Sequence, residues 1–172
     1  MSGFGQDRDH IPEPGDVELS PRTPGLIHLT PDSETTPAAP GGRRRARAAA
    51  LQALYESELT GHPGAEALRH IAAREHLRED LAEFAAHLVE AVETRRRDLD
   101  ARIAELAPGR PVEQIDAIDR AILRLALAEL DGEDGSSTPP AVVANEAVEL
   151  AHLYGSDSSP RFVNGVLGAV LR

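Results

Sequence analysis

The segment VEQIDAIDRAILRLALAEL, residues 112–130, constrains the fold more than any other part of the chain. Ile115, Ile118, Ile122 and Leu125 recur at helical spacing, but Leu123, Leu127 and Leu130 fall on other faces of the same helix. A helix apolar on one stripe lies on a surface, whereas one apolar on several sides is packed from several sides. This segment therefore predicts a central helix around which the others assemble. From Gly42 onward the flanking sequence has the same texture of Ala, Leu, Arg and Glu at helical spacing, without alternating strand patterns.

The boundaries follow from punctuation. The first helix covers 43–60, with Leu51, Leu54, Tyr55 and Leu59 on one face, and GHPG stops it. A short helix covers 65–75. A long one covers 79–106, with room for a bend midway, and APGRP at 107–111 ends it. After the central helix comes the loop DGEDGSSTPP, in which Thr138 is the expected N-cap and Pro139 the first helical residue. The helix AVVANEAVELAHLY ends at Gly155, and the last helix opens with Ser159 as cap and Pro160 first. Six or seven helices with short connections make an all-α domain of residues 42–172. Gly165 and Gly168 interrupt the last helix at about 1 kcal/mol each relative to Ala, which predicts close approach of a neighbouring helix.

Residues 1–41 are different. They hold seven of the thirteen prolines, seven acids and two arginines, with scattered apolar residues. Such a segment cannot bury enough surface to offset its ordering entropy, so a disordered acidic tail is expected. It serves solubility, or its acids compete for a basic site downstream.

Composition removes several function classes. There is no cysteine, so disulfides and thiolate metal sites are excluded. No apolar run reaches the ~20 residues of a membrane span and no signal pattern opens the chain, so a cytoplasmic protein is expected. The His residues lack metal-ligand spacing, no phosphate-cradling glycine loop is present, and no nucleophile has a visible base. Neither an enzyme nor a cofactor is indicated. The net charge of −11 argues against indiscriminate coating of nucleic acid but leaves room for a local basic site.

Two stretches suggest such a site. GRRRAR places Arg43, Arg44, Arg45 and Arg47 at a helix N-terminus, where the macrodipole favours acids. Cations concentrated in an unfavourable place point to phosphate or RNA contact; the alternative is a solvated helix start. A second cluster at 95–97 has acids on both sides and reads as a solvated face. The other stretch is SSPRFVNG. Ser159 and Pro160 open a helix whose free N–H groups attract phosphate, and Arg161 adds a fork of donors. Phe162 either offers a face to an unpaired base or joins Val163, Val166, Leu167 and Val170 in the core, and spacing alone leaves both open.

Three blocks, RRRARAAALQALYESELTG, IDRAILRLALAEL and PPAVVANEAVELAHLYGSDSSPRFVNGVL, resemble the NusB transcription antitermination family in the right order over about residues 43–172. The resemblance implies two small three-helix subdomains packed together. It implies a non-enzymatic factor that, with the small-subunit ribosomal protein NusE, binds single-stranded boxA RNA in ribosomal RNA leader transcripts within the transcription elongation complex. The implied RNA contacts are Arg43, Arg44, Arg45, Arg47, Ser159, Arg161 and Phe162. The implied partner contacts are Tyr55, Glu113 and Asp119, and a homodimer is a further arrangement to consider. Two positions depart from the family pattern: Arg110 stands where Trp is frequent, and Ala128 where an aromatic commonly precedes the Glu-Leu pair. Two rival readings are the RNA-binding module of an rRNA cytosine methyltransferase lacking its catalytic domain, and a helical adaptor that binds protein alone.

Overall fold

The computed structural model describes residues 41–132 and 138–171. The expected disordered tail, apart from Gly41, and most of the loop before Thr138 lie outside the described residues. Within them the chain forms seven α-helices and no strand. These are α1 (Gly42–Thr60), α2 (Gly64–Arg74), α3 (Glu79–Thr94), α4 (Arg96–Leu106), α5 (Ala117–Leu130), α6 (Pro140–Tyr154) and α7 (Ser159–Val170). A 3-10 turn at Val112–Gln114 precedes α5.

α1, α2 and α3 pack on one another as one three-helix unit, and α5, α6 and α7 form a second, with α4 against α5 and α7. The units share a continuous core because α5 also touches α1 and α3. As its apolar faces predict, every residue of α5 from Ala121 to Glu129 is buried. Ile122, Leu123, Leu125 and Leu127 are each at most 2 % exposed, and burying a side chain of this size stabilises by roughly 1.5–3 kcal/mol. Arg124, also within that run, is satisfied by Asp100 at 2.6 and 2.9 Å and by Glu58 at 2.9 Å.

The local punctuation holds with small shifts. Gly61 closes α1 in the left-handed region (φ 75°), returning its N–H to the Ser57 carbonyl, a conformation that favours glycine. The long helix expected over 79–106 divides at Arg95 (φ −106°, ψ 17°). Arg95 and Arg102 both reach Asp131 at the end of α5, at 2.9 and 2.6 Å, and Arg96 lies 3.3 Å from Glu58. The 95–97 cluster is thus partly a set of interhelix ties, not only a solvated face. α6 begins at Pro140, one residue later than expected, so Pro139 takes the cap position. Ser158, not Ser159, caps α7, without a side-chain bond, and Ser159 and Pro160 are its first two residues.

One expectation fails. A Cβ added at Gly165 or Gly168 would meet no atom within 4 Å, so neither glycine accommodates a close helix. The tight approach is at Gly155 instead, where an added Cβ would come within 2.4 Å of the Ser159 Cβ and 2.8 Å of the Ala151 carbonyl oxygen. Gly155 therefore lets the α6–α7 turn fold onto the start of α7.

Candidate nucleic-acid interface

The four arginines of α1 lie within its first two turns, and no acid of the first turn offsets them. Because a helix turns 100° per residue, they fan out and meet different surroundings. Arg44 makes a two-pronged bond to Glu146 of α6 (2.9 and 2.8 Å) and lies 3.7 Å from Glu149. That contact holds the Glu146 carboxyl below its ordinary range, chiefly through the Arg44 hydrogen bonds and against the opposing effect of burial. Arg47 is 4 % exposed and grips Glu129 of α5, itself 3 % exposed, through bonds of 2.8 and 2.5 Å. Its guanidinium also lies 5.3 Å from the centre of the Phe84 ring.

Arg43 and Arg45 are exposed. Arg43 rests over the Phe84 ring at 4.7 Å and donates to the Thr138 hydroxyl at 3.4 Å, while Arg45 donates to the Glu75 carbonyl at 2.6 Å. The arginine motif therefore separates into two functions. Arg47 is interior and joins the two helical units, so it is not presented to a ligand; Arg44 shares that task from a half-buried position. The unfavourable placement of cations at the helix start is offset largely by the protein's own carboxylates and by an aromatic ring. The sequence offered no signal for this, because Glu129 and Glu146 read like any other helix acids.

The second stretch is built around Ser159, which is 1 % exposed. Its hydroxyl accepts the Ser156 N–H at 2.9 Å, and its own N–H donates to the Ser156 carbonyl at 2.9 Å. Ser159 therefore fixes the turn from inside instead of facing outward, and Pro160 has no N–H to offer, so the α7 terminus presents fewer donors than expected. Behind it is Asp119 of α5, expected on a partner surface but 2 % exposed. Its Oδ1 is buried without a hydrogen-bond partner. Burial pushes this carboxyl above its ordinary range; the Ser159 hydroxyl, hydrogen-bonded to it, opposes that shift, nearby Asp116 adds to it, and Arg110 attracts it back.

Outward from this knot, Arg161 is exposed and Phe162 is half-buried against the core. Phe162 thus joins the core in part, as one of its two readings has it. One side packs inward, and the Arg110 guanidinium lies over the ring 4.8 Å from its centre. α6 connects the two stretches: it runs from beside Arg43, past Arg44 and Arg47, to the serine turn, about 22 Å for its 15 residues.

Of the remaining expected contacts, Tyr55 is half-buried on α1, one turn before Leu59, whose side chain is among the exposed large apolar ones (53 %). Glu113 is exposed on the 3-10 turn. Arg120 fastens that turn through the Val112 and Ile115 carbonyls (2.9 and 3.0 Å) while also binding Glu58 of α1. Tyr55 and Glu113 accordingly stand on elements held in fixed relation by one arginine. Among the described residues no group of His, Asp and Glu is arranged to hold a metal ion, and no helix is long and apolar enough to cross a membrane.

The NusB family model matches residues 44–172, three quarters of the chain. This protein belongs to the NusB family. The transcription antitermination protein NusB of Chloroflexus aggregans is 46% identical over 129 residues, covering 75% of this chain and 86% of that one. NusB of T. maritima has the same fold, with a TM-score of 0.69 at 29% identity over 79% of this chain and 91% of that chain. A structure of the antitermination factors NusB and NusE in complex with double-stranded RNA matches with a TM-score of 0.67 at 28% identity, over 75% of this chain and 95% of that chain. NusB proteins are transcription antitermination factors, not enzymes. The two-unit helical architecture expected from the resemblance is the one observed.

Proposed function

We propose that this protein is a cytoplasmic transcription antitermination factor that binds single-stranded boxA RNA of ribosomal RNA leader transcripts together with NusE, within the elongation complex. The observation that carries the RNA assignment is the exposure of Arg43 and Arg45 on a helix start whose other two arginines anchor it, with Arg161 exposed beside Phe162 at the start of α7. Family membership over residues 44–172 and the likeness to a NusB–NusE–RNA assembly support the same reading. Exposed guanidinium groups neutralise phosphates and supply salt-dependent affinity, and unpaired bases are read at their edges and by stacking. Arg47 and Ser159 act from inside as positioning residues, and Arg44 stands between the two roles. Tyr55 and Glu113 are the proposed NusE contacts, with Asp119 supporting the adjoining α5 and α7 from within.

A net-acidic chain with half of its basic motif already engaged should bind weakly alone, and NusE should supply further RNA surface. The test is fluorescence polarisation with boxA RNA, a scrambled strand and the boxA duplex, each with and without NusE. Preference for the boxA strand, strengthened by NusE, is expected. Arg43→Ala and Arg45→Ala should each reduce the salt slope by about 0.7, as for single-stranded nucleic acid. Equal binding of boxA and scrambled strands in both settings refutes the reading, and NusE binding without any gain in RNA affinity favours a protein-binding adaptor.

A further inference from the structure

Phe162 is the aromatic at the proposed RNA surface, but it does not offer an open face. The Arg110 guanidinium lies 4.8 Å above the ring centre. Arg110 comes from the connection between α4 and the 3-10 turn, shaped by its own N–H bonded to the Ala107 carbonyl at 3.0 Å and by Pro111 after it. Phe162 is packed inward against the core, whereas Arg110 is exposed. The order from inside outward is therefore core, phenyl ring, guanidinium, solvent. Arg161, also exposed, is next to the ring in sequence.

An arginine in this arrangement is not a simple phosphate contact. The guanidinium is planar and weakly hydrated, and it stacks on π-systems through both of its faces. With Phe162 on one side of it, the exposed Arg110 remains accessible from solvent, and unpaired bases stack on guanidinium planes as they do on aromatic rings. The ring limits the freedom of the long side chain, so less ordering is left to occur on binding.

We propose that Arg110 is an RNA-binding residue, its guanidinium forming the stacking platform for an unpaired base, with Phe162 acting beneath it as the support and not as the base contact itself. This rests on the RNA-binding reading above and assigns the stacking position within it. Single-stranded RNA is the chemistry that fits, because a paired base does not present its face to a side chain.

The test measures polarisation of the boxA strand and its duplex on the full chain with NusE, for wild type and for Arg110→Ala, Arg110→Lys and Arg110→Trp, with Arg43→Ala as a reference. Thermal melts of each variant check the fold. Arg110→Ala should lower single-strand affinity by roughly tenfold, within the fivefold to hundredfold that stacked bases contribute, and change duplex affinity less than twofold. Arg110→Lys keeps the charge without the plane, so it should retain the salt slope yet remain weak. Arg110→Trp keeps the plane without the charge, so it should hold most of the affinity with a salt slope lower by about 0.7. The proposal fails if Arg110→Ala binds the strand within twofold of wild type while Arg43→Ala weakens it. It also fails if Arg110→Lys restores full affinity, which would make Arg110 a phosphate contact only. Absence of any RNA binding by wild type would instead refute the RNA-binding reading, and this assignment with it.

Discussion

Replacing Arg47 by Met separates a structural arginine from those proposed to bind RNA. In the folded protein Arg47 makes two short charge-assisted bonds to Glu129, lies 3.9 Å from Glu146 and rests against Phe84. Met fills much of the same volume but leaves the Glu129 carboxylate in a 3 % exposed site without its cation. Breaking a buried pair from one side typically costs about 3–5 kcal/mol, because the remaining charge stays desolvated. With a urea dependence of about 2 kcal/mol/M, ordinary for a domain of this size, the unfolding midpoint followed by circular dichroism should fall by roughly 2 M. Removing both charges, as in Arg47→Met with Glu129→Leu, should recover most of that loss, since an apolar pair of similar volume is often neutral or stabilising. Arg43→Ala, at an exposed position, should stay within about 0.5 kcal/mol of wild type. The reasoning is refuted if Arg47→Met shifts stability by less than about 1 kcal/mol. It is equally refuted if the double variant shows the plain sum of the single effects, which would mean that the two side chains are not coupled.

Gly165→Ala should stabilise by about 1 kcal/mol, since the site is open and helical; a melting temperature raised by roughly 3–5 °C would agree, and a drop would mean that α7 needs its glycine. Gly155→Ala should destabilise by about 1–3 kcal/mol through the clash with Ser159, and it should weaken RNA binding more than its stability loss explains, because the turn before Arg161 and Phe162 is displaced. Asp119→Asn should change the pH dependence of stability. The carboxyl's pKa is raised on folding, so its contribution is fully present below its ordinary value of 3.8 and is lost as pH rises through the folded value. Denaturation profiles should therefore show the variant losing less stability than wild type between pH 3.8 and neutrality, and parallel profiles would mean that Asp119 is not buried as described. Glu146 has the opposite sign: its Arg44 contact stabilises above the ordinary value of 4.5 and is lost as acid protonates it, so comparison of Asp119→Asn with wild type at each pH isolates Asp119.

The helices were legible because their signals are local. Period, Gly61 and Gly155, and the run of apolar positions in α5 carry enough information to locate elements within a residue or two. The caps at Pro139 and Ser158 missed by one, since cap choice depends on which carbonyl the next turn reaches. At the candidate site the residue types were legible but not their depth. Arg43 and Arg47 have the same residue type and lie four apart, yet one is exposed and the other is inside. What separates them is the position of Glu129, 82 residues away from Arg47 in sequence, and a contact of that separation has no local signature. Asp119 and Ser159 were misplaced for the same reason, each being covered by the other's helix. Gly165 shows the converse error: a residue that usually marks close packing stands here beside open space.

The anchored arginines also bear on how the exposed ones are presented. An isolated helix start carrying four cations would repel itself and fray, because the helix dipole opposes positive charge there. Tying Arg44 to α6 and Arg47 to α5 removes part of that repulsion and fixes the rotation of α1 about its own axis. Arg43 and Arg45, one residue on either side of Arg44, are then held at set angles in place of a flexible basic patch. Phe84 contributes to the same end, with Arg43 and Arg47 both against its ring. The same construction recurs at α7, where Asp119, Ser159 and Gly155 secure the turn from inside and leave Arg161 and the Arg110–Phe162 stack outward. Both surfaces thus place exposed cationic side chains on buried polar anchors. This predicts that variants of Glu129 or Glu146 will impair RNA binding without touching RNA.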